Sequence, residues 1–119
     1  MEYKTRRLSD GGSVDTDKKR IFEMPKGYLI ANIRVHDKEI FEEFKKMSTP
    51  LISEYGGKLL VRTPDVERRE GDLSGIVVML EFPNIDMART FYESESYTAA
   101  KLVREGGSST DLCIVEGLD

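Results

Sequence analysis

The stretch from Ile76 to Phe82 constrains the fold of this chain more than any other part of the sequence. It opens with five apolar residues, three of them β-branched, which favours a strand covered on both faces over a short helix. Pro83 cannot donate to a ladder and should end the strand, and Asn84 is suited to cap the amphipathic helix that follows. One layer of helices covers only one face of a sheet, so the second face needs another cover.

The rest of the chain supplies strands and helices in a regular order. Alternating apolar and polar residues predict a first strand over residues 27–35, followed by a helix with Asp37 as its N-cap. We expect Pro50 to interrupt that helix, and the Gly56-Gly57 pair to end it in a left-handed turn.

A second strand is predicted over residues 58–62, and beyond a break at Pro64 it should continue over 66–69 to a hairpin turn at 70–72. Ser94 should cap a further helix that stops at Gly106-Gly107, and residues 111–116 form a last strand. The order is the ferredoxin-like βαββαβ pattern of an α+β protein, with helices on one side of an antiparallel sheet.

Composition places the chain in the class of single-domain globular proteins. It has 119 residues, 39% of them hydrophobic and 34% charged, and it contains no run of apolar residues long enough to span a bilayer. Residues 24–119 hold 12 basic and 17 acidic side chains, hence a formal charge of −5, which argues against a nucleic-acid surface. The single cysteine, Cys113, fits a reducing cytoplasm.

The first 23 residues differ from the rest in composition. They combine Gly11-Gly12-Ser13 with scattered charges and few large apolar residues, which is typical of a mobile arm. Two parts are therefore expected: an N-terminal arm over 1–23 and one α+β domain over 24–119. Met24 is also a candidate start of translation, with the arm as an upstream extension.

The sheet face without helices should carry a large apolar surface. In this topology it holds side chains such as Ile30, Val77, Met79 and Val115, and soluble monomers rarely leave several hundred Å² of such surface exposed to water. Two sheets packed face to face across a two-fold axis would cover it. The pattern thus predicts a homodimer, closed into a dimeric α/β barrel.

Polar residues on that same face are candidate ligand contacts. Counting back through the hairpin places Arg62 opposite Glu81, and such a pair can be purely structural, or Arg62 can hold a ligand carboxylate while Glu81 orients it. Tyr28 and Asn32 on that face, together with Tyr97 on the helix capped by Ser94, complete the candidate ligand-binding set.

The sequence contains few residues that could serve in catalysis, metal binding or cofactor binding. His36 is the only imidazole and stands at a strand–helix junction, where a surface or capping role is more frequent than a role in catalysis. One histidine and one cysteine do not make a usual zinc site, and there is no phosphate-cradling glycine loop. We therefore expect neither a metal nor a bound cofactor.

Six short motifs follow one another along the chain: Met24-Pro25-Lys26-Gly27-Tyr28, residues 55–62, Glu70-Gly71-Asp72, Leu80-Glu81-Phe82-Pro83, residues 97–101 and Val115-Glu116-Gly117. In this order they resemble the family called domain of unknown function 1330. The resemblance covers residue 24 to the C-terminus and implies a dimeric α+β barrel, in a superfamily of cofactor-free monooxygenases, dechlorinases and purely structural relatives. Of the candidate residues, Tyr28, Arg62, Glu81 and Tyr97 match motif positions. Leu73 stands where the family usually has tryptophan.

Three functions follow from these observations. The first is a small cytoplasmic dimer that binds an apolar or weakly acidic small molecule between sheet and helices, without nucleic acid or membrane as partner. The second is a cofactor-independent enzyme of the monooxygenase or isomerase type, and the third is an assembly module without ligand. The sequence names no ligand and no catalytic residue.

Overall fold

A computed structural model of the chain describes residues 24–119. The elements in chain order are β1 (Gly27–Val35), α1 (Lys38–Glu54), β2 (Lys58–Thr63), β3 (Ile76–Phe82), α2 (Ile85–Glu93), α3 (Glu95–Glu105) and β4 (Ser108–Glu116). The strands form one antiparallel sheet in the order β2-β3-β1-β4. This arrangement confirms the predicted ferredoxin-like α+β fold. The predicted arm over residues 1–23 lies outside the described residues.

Each helix begins at the polar residue that the sequence predicted as its N-cap. The Asp37 carboxylate accepts from the backbone N–H groups of Glu39 and Ile40, at 3.0 and 3.2 Å. Asn84 Oδ1 accepts from the third residue of α2 at 2.9 Å, and Ser94 Oγ accepts from Tyr97 N at 3.1 Å. These side chains satisfy N–H groups that a helix leaves without partners, and so they fix where each helix starts.

The expected interruption at Pro50 is wrong, because α1 runs through it as one helix of 17 residues. A proline inside a helix removes one hydrogen bond and normally bends or breaks it. Here Phe41, Phe44, Ser48 and Ile52 are buried on both sides of Pro50 at helical spacing, while Pro50 itself is exposed. Burial of this continuous stripe outweighs the missing bond. The left-handed turn predicted at Gly56 is confirmed, because the φ angle of this residue is +83°.

The core lies between the sheet and the helices. Alternate residues of β1 and β3 point into it, and α1, α2 and α3 contribute aromatic and small side chains. The most completely buried large side chains are Leu29, Phe82 and Phe91. The other face of the sheet, here called the open face, carries Tyr28, Ile30, Asn32, Arg34, Val77, Met79, Glu81, Asp111, Cys113 and Val115.

The register of β2 differs from the predicted one. A bulge lies between Leu59 and Val61, so that Lys58 is opposite Glu81 while Arg62 is opposite Val78. The prediction counted the register through a hairpin turn at residues 70–72, but residues 64–75 join β2 to β3, and the two strands pair with a different offset. The bulge then turns the side chains that follow it to the other face. Arg62 therefore lies on the helix side of the sheet, and the expected Arg62–Glu81 pair is wrong.

Two further strand boundaries differ from those expected. Residues 66–69 are not part of a strand, and β4 begins at Ser108, three residues before the predicted start. The Arg68 guanidinium donates instead to the carbonyls of Leu73 and Gly75, at 2.8 and 2.9 Å, which holds this segment in a loop. The early start of β4 follows from pairing, since Ser108 is opposite Val35.

Candidate functional site

A narrow cavity of about 30 Å³ lies between the sheet and the helices, and it is here called the inner cavity. Its walls are mostly apolar and include Leu29, Ala31, Phe44, Val78, Leu80 and Phe91. Its polar side chains are Ser48, Arg62, Tyr97 and Arg104. A mainly apolar space with a few converging polar groups is the usual form of a ligand site.

Arg104 is the most unusual of these residues, because it is a cation with only 4% of its surface exposed. Its one side-chain hydrogen bond within residues 24–119 runs from Nη1 to the Tyr97 hydroxyl, at 2.7 Å. Its guanidinium carbon lies 5.3 Å from the centre of the Phe44 ring. No carboxylate in the described part of the chain forms an ion pair with it, and Nε is buried without any partner. A charge so placed normally has a counter-ion.

The geometry of α3 brings Arg104 and Tyr97 together. They are seven residues apart, two helical turns, and so both point toward the core along with Ala100. Ser94 fixes the first turn of α3 by its cap, and the Ser108 hydroxyl donates to the Arg104 carbonyl at 2.7 Å after the last turn. Both ends of the helix are thus held, which fixes the guanidinium in position.

Tyr97 belongs to an aromatic cluster that forms one wall of the inner cavity. Its ring centre lies 4.7 Å from that of Phe91, 5.5 Å from that of Tyr92 and 6.2 Å from that of Phe44. Burial raises the pKa of the Tyr97 phenol, although the charge and hydrogen bond of Arg104 act in the opposite direction. The phenol is therefore neutral near pH 7 and serves as an acceptor for Arg104 rather than as a base.

Arg62 lines the same cavity from the edge strand β2, where its side chain is exposed. Its Nη1 donates to the Thr49 hydroxyl of α1 at 3.1 Å, so it bridges the sheet edge and the first helix. One guanidinium thus lies inside the cavity and a second at its exposed border. No acidic side chain lines the cavity in the described part of the chain. The space is positively charged and therefore favours an anion.

The structure brings together only two of the five predicted ligand residues. Arg62 and Tyr97 line the inner cavity, whereas Tyr28, Asn32 and Glu81 lie on the open face, on the opposite side of the sheet. There the Tyr28 hydroxyl donates to Glu81 Oε2 at 3.2 Å. Desolvation raises the pKa of Tyr28, and the hydrogen bond and negative charge of Glu81 add to the rise.

Arg104 and Ser48 line the inner cavity but were not among the residues predicted from the sequence. Both lie in the apolar stripes of their helices: Ser48 is four residues after Phe44, and Arg104 is seven after Tyr97. The sequence did contain one sign of the site: Arg104 is a charged residue at the helical spacing of the buried residues Tyr97 and Ala100. This sign is easily overlooked, because a cation in the last turn of a helix is already accounted for by the favourable interaction with the helix dipole.

Other candidate groups lie away from the inner cavity. His36 is exposed in the turn between β1 and α1, where its backbone N–H donates to the Gly107 carbonyl at 2.7 Å. Cys113 is exposed on the open face. Within residues 24–119, no cluster of His, Cys, Asp and Glu side chains could hold a metal ion, and no helix is long and apolar enough to cross a membrane.

Solved structures with the same fold were found by comparison. A protein of unknown function from Rhodopseudomonas palustris superposes with a TM-score of 0.66 at 12% identity, over 92% of this chain and 97% of its own. The cofactor-independent oxygenase SnoaB from Streptomyces nogalater gives 0.59 at 11% identity, over 80% and 95%. A dimeric protein of unknown function and ferredoxin-like fold from Bacteroides fragilis gives 0.54 at 14% identity, over 76% and 95%. At these identities the likeness shows the fold alone.

A search of curated protein sequences found no match. A family model, described as a domain of unknown function, does match, and it covers residues 26–118. That span includes every strand and helix described above, together with all the residues that line the inner cavity. The chain therefore belongs to the DUF1330 family of ferredoxin-like α+β proteins.

Proposed function

We propose that this protein is a cytoplasmic homodimer that binds a small apolar or weakly acidic molecule in the inner cavity. The observation that carries the proposal is Arg104, a buried guanidinium that lines the cavity and has no carboxylate partner within residues 24–119. An arginine stays protonated in proteins, so it cannot relieve its burial by losing a proton. Removing an unpaired ion from water costs several kcal/mol.

An acidic ligand would offset this cost. Its negative charge would compensate the Arg104 guanidinium, while its apolar part would lie against Leu29, Val78 and Phe91. The phenol of Tyr97 already orients the guanidinium, so little ordering is left for binding to supply. Nucleic acid is not a suitable partner, because residues 24–119 carry a net charge of −5.

The open face supports the homodimer. Its centre, around Ile30, Met79 and Cys113, carries no charged side chain, and each of its ends carries a polar pair. One pair is Tyr28 with Glu81, and the other is the Arg34–Asp111 ion pair at 3.2 Å. An apolar centre with a polar rim is the form of a protein–protein interface. The Bacteroides fragilis protein of the same fold is dimeric.

A cofactor-independent enzyme is the alternative, since SnoaB, which shares the fold, is a cofactor-independent oxygenase. Such chemistry would begin with removal of a proton from the substrate, which requires a base. The described lining contains no carboxylate, imidazole or thiol, and the raised pKa of Tyr97 keeps its phenol protonated. No feature of the cavity favours catalysis over binding. An assembly module without ligand would leave Arg104 without explanation.

Thermal shift measurements with small carboxylates and phenols test the binding. A ligand that binds the folded state raises the unfolding midpoint, and the rise should be absent in Arg104→Met, which retains length but not charge. Arg89→Met is the matched control, because Arg89 is exposed on α2 and paired with Asp86 at 2.9 Å, away from the cavity. Equal shifts in the wild type and in Arg104→Met would contradict binding at this site.

A further inference from the structure

The Arg104 guanidinium lines the inner cavity and forms no ion pair with a carboxylate of residues 24–119. Nη1 is taken by the Tyr97 hydroxyl, and Nε is buried without a partner in the described part of the chain. A bound anion would compensate the positive charge of the guanidinium. Near pH 7 a small carboxylic acid is ionised, whereas a phenol, with a pKa of about 10, is neutral. The charge therefore favours a carboxylate over other weak acids.

The size of the cavity limits the rest of the ligand. A single buried water needs about 10–15 Å³ of such space. The inner cavity has about 30 Å³, so without movement of its walls it accepts a molecule of only a few heavy atoms. Beyond the guanidinium its walls are apolar, with Leu29, Ala31 and Val78 on the sheet side. A second charged group would find no partner among them.

We propose that the inner cavity binds a short aliphatic monocarboxylate, of about the size of acetate or propionate, whose negative charge compensates the guanidinium of Arg104. This rests on the proposed function and names its ligand class. Arg62 lies at the exposed border of the cavity and attracts the anion toward it. The methyl or ethyl group then occupies the apolar part. Longer chains and aromatic acids require the contact between Arg62 and Thr49 to open.

Arginine side-chain NMR tests the proposal on the full-length protein. The Nε–H signal of Arg104, identified by its absence in Arg104→Met, is followed during titration with sodium acetate, propionate, hexanoate and benzoate. The controls are acetamide, a neutral molecule of similar shape, and sodium chloride at the ionic strength of the carboxylate salts. We expect saturable shifts with acetate and propionate and none with the controls, and binding at least about tenfold weaker for hexanoate and benzoate. Arg89→Met should titrate as the wild type does.

The outcomes separate the ligand class from the binding function. If benzoate or a phenol binds while acetate does not, the short carboxylate is wrong and the small-molecule site stands. If acetate, acetamide and chloride give the same response, Arg104 is hydrated and does not recognise a carboxylate. If the signal responds to no compound here and no compound shifts the unfolding midpoint, both proposals fail.

Discussion

Arg104 Nη1 lies 2.7 Å from the Tyr97 hydroxyl, and this is the one side-chain hydrogen bond that the buried guanidinium makes within residues 24–119. Tyr97 in turn contacts the rings of Phe44 and Phe91. The phenol thus connects a charged group to the aromatic core. This connection makes Tyr97 a positioning residue for the proposed site, and its hydroxyl should contribute measurably to stability.

Tyr97→Phe removes the acceptor and keeps the ring. We expect a loss of about 1.5–3 kcal/mol in the free energy of unfolding, because a buried charged donor loses the one side-chain acceptor that it has within residues 24–119. Urea denaturation measures this loss. Tyr92→Phe is the control, since the Tyr92 hydroxyl accepts only a 3.4 Å contact from the partly exposed Lys101. Equal losses in the two variants would contradict a special role for the Tyr97 hydroxyl.

Stability should also depend on Tyr97 at high pH. Burial raises the pKa of this phenol above its usual value of 10.0, so the folded state retains a proton that the unfolded chain releases. The free energy of unfolding must therefore fall as the pH rises above about 10, while below that value both states are protonated. Urea midpoints from about pH 8 upward should fall more steeply in the wild type than in Tyr97→Phe. Parallel curves would show that the phenol does not titrate differently on folding.

The homodimer depends on the apolar centre of the open face. Met79→Lys places an ammonium group there, and burying it without a partner costs several kcal/mol. Sedimentation velocity at micromolar concentration should show a dimer for the wild type and a monomer for Met79→Lys. Thr98→Lys, on the exposed surface of α3, is the charge-matched control and should remain dimeric. A monomeric wild type would refute the assembly.

Much of the fold was predictable because it depends on local signals. Asp37, Asn84 and Ser94 are polar residues directly before apolar periodic stretches, and each caps its helix as expected. The alternation in β1 and the apolar run in β3 likewise predicted their buried faces. Caps and alternation depend only on residues that are close in sequence, so they can be predicted without knowledge of distant contacts.

The site was less predictable, because the position of Arg62 depends on a single extra residue in the pairing of β2 with β3. The bulge between Leu59 and Val61 has no glycine or proline to mark it, yet it moves Arg62 from the open face to the inner cavity. The sequence also does not show that Arg104 lacks a carboxylate partner within residues 24–119, because this depends on how the helices and the sheet pack together. Long-range pairing fixed both features.

The corrected register leads to a test by double-mutant cycles. Arg62 and Glu81 lie on opposite faces of the sheet, and Glu81 instead accepts from the Tyr28 hydroxyl at 3.2 Å. Arg62→Gln and Glu81→Gln should therefore be additive within about 0.5 kcal/mol, as is usual for residues with no shared partner. Tyr28→Phe and Glu81→Gln should be measurably non-additive, because the two side chains share one hydrogen bond.

Urea denaturation of the wild type, the single variants and the double variants measures both cycles. The shared Glu81→Gln variant makes each cycle the control for the other, since any effect of that substitution on the open face enters both equally. A strong coupling of Arg62 with Glu81, together with none between Tyr28 and Glu81, would mean that β2 pairs with β3 in another register, with Arg62 opposite Glu81. Arg62 would then lie on the open face, and the inner cavity would lose the cation at its border, leaving Arg104 as its only positive charge.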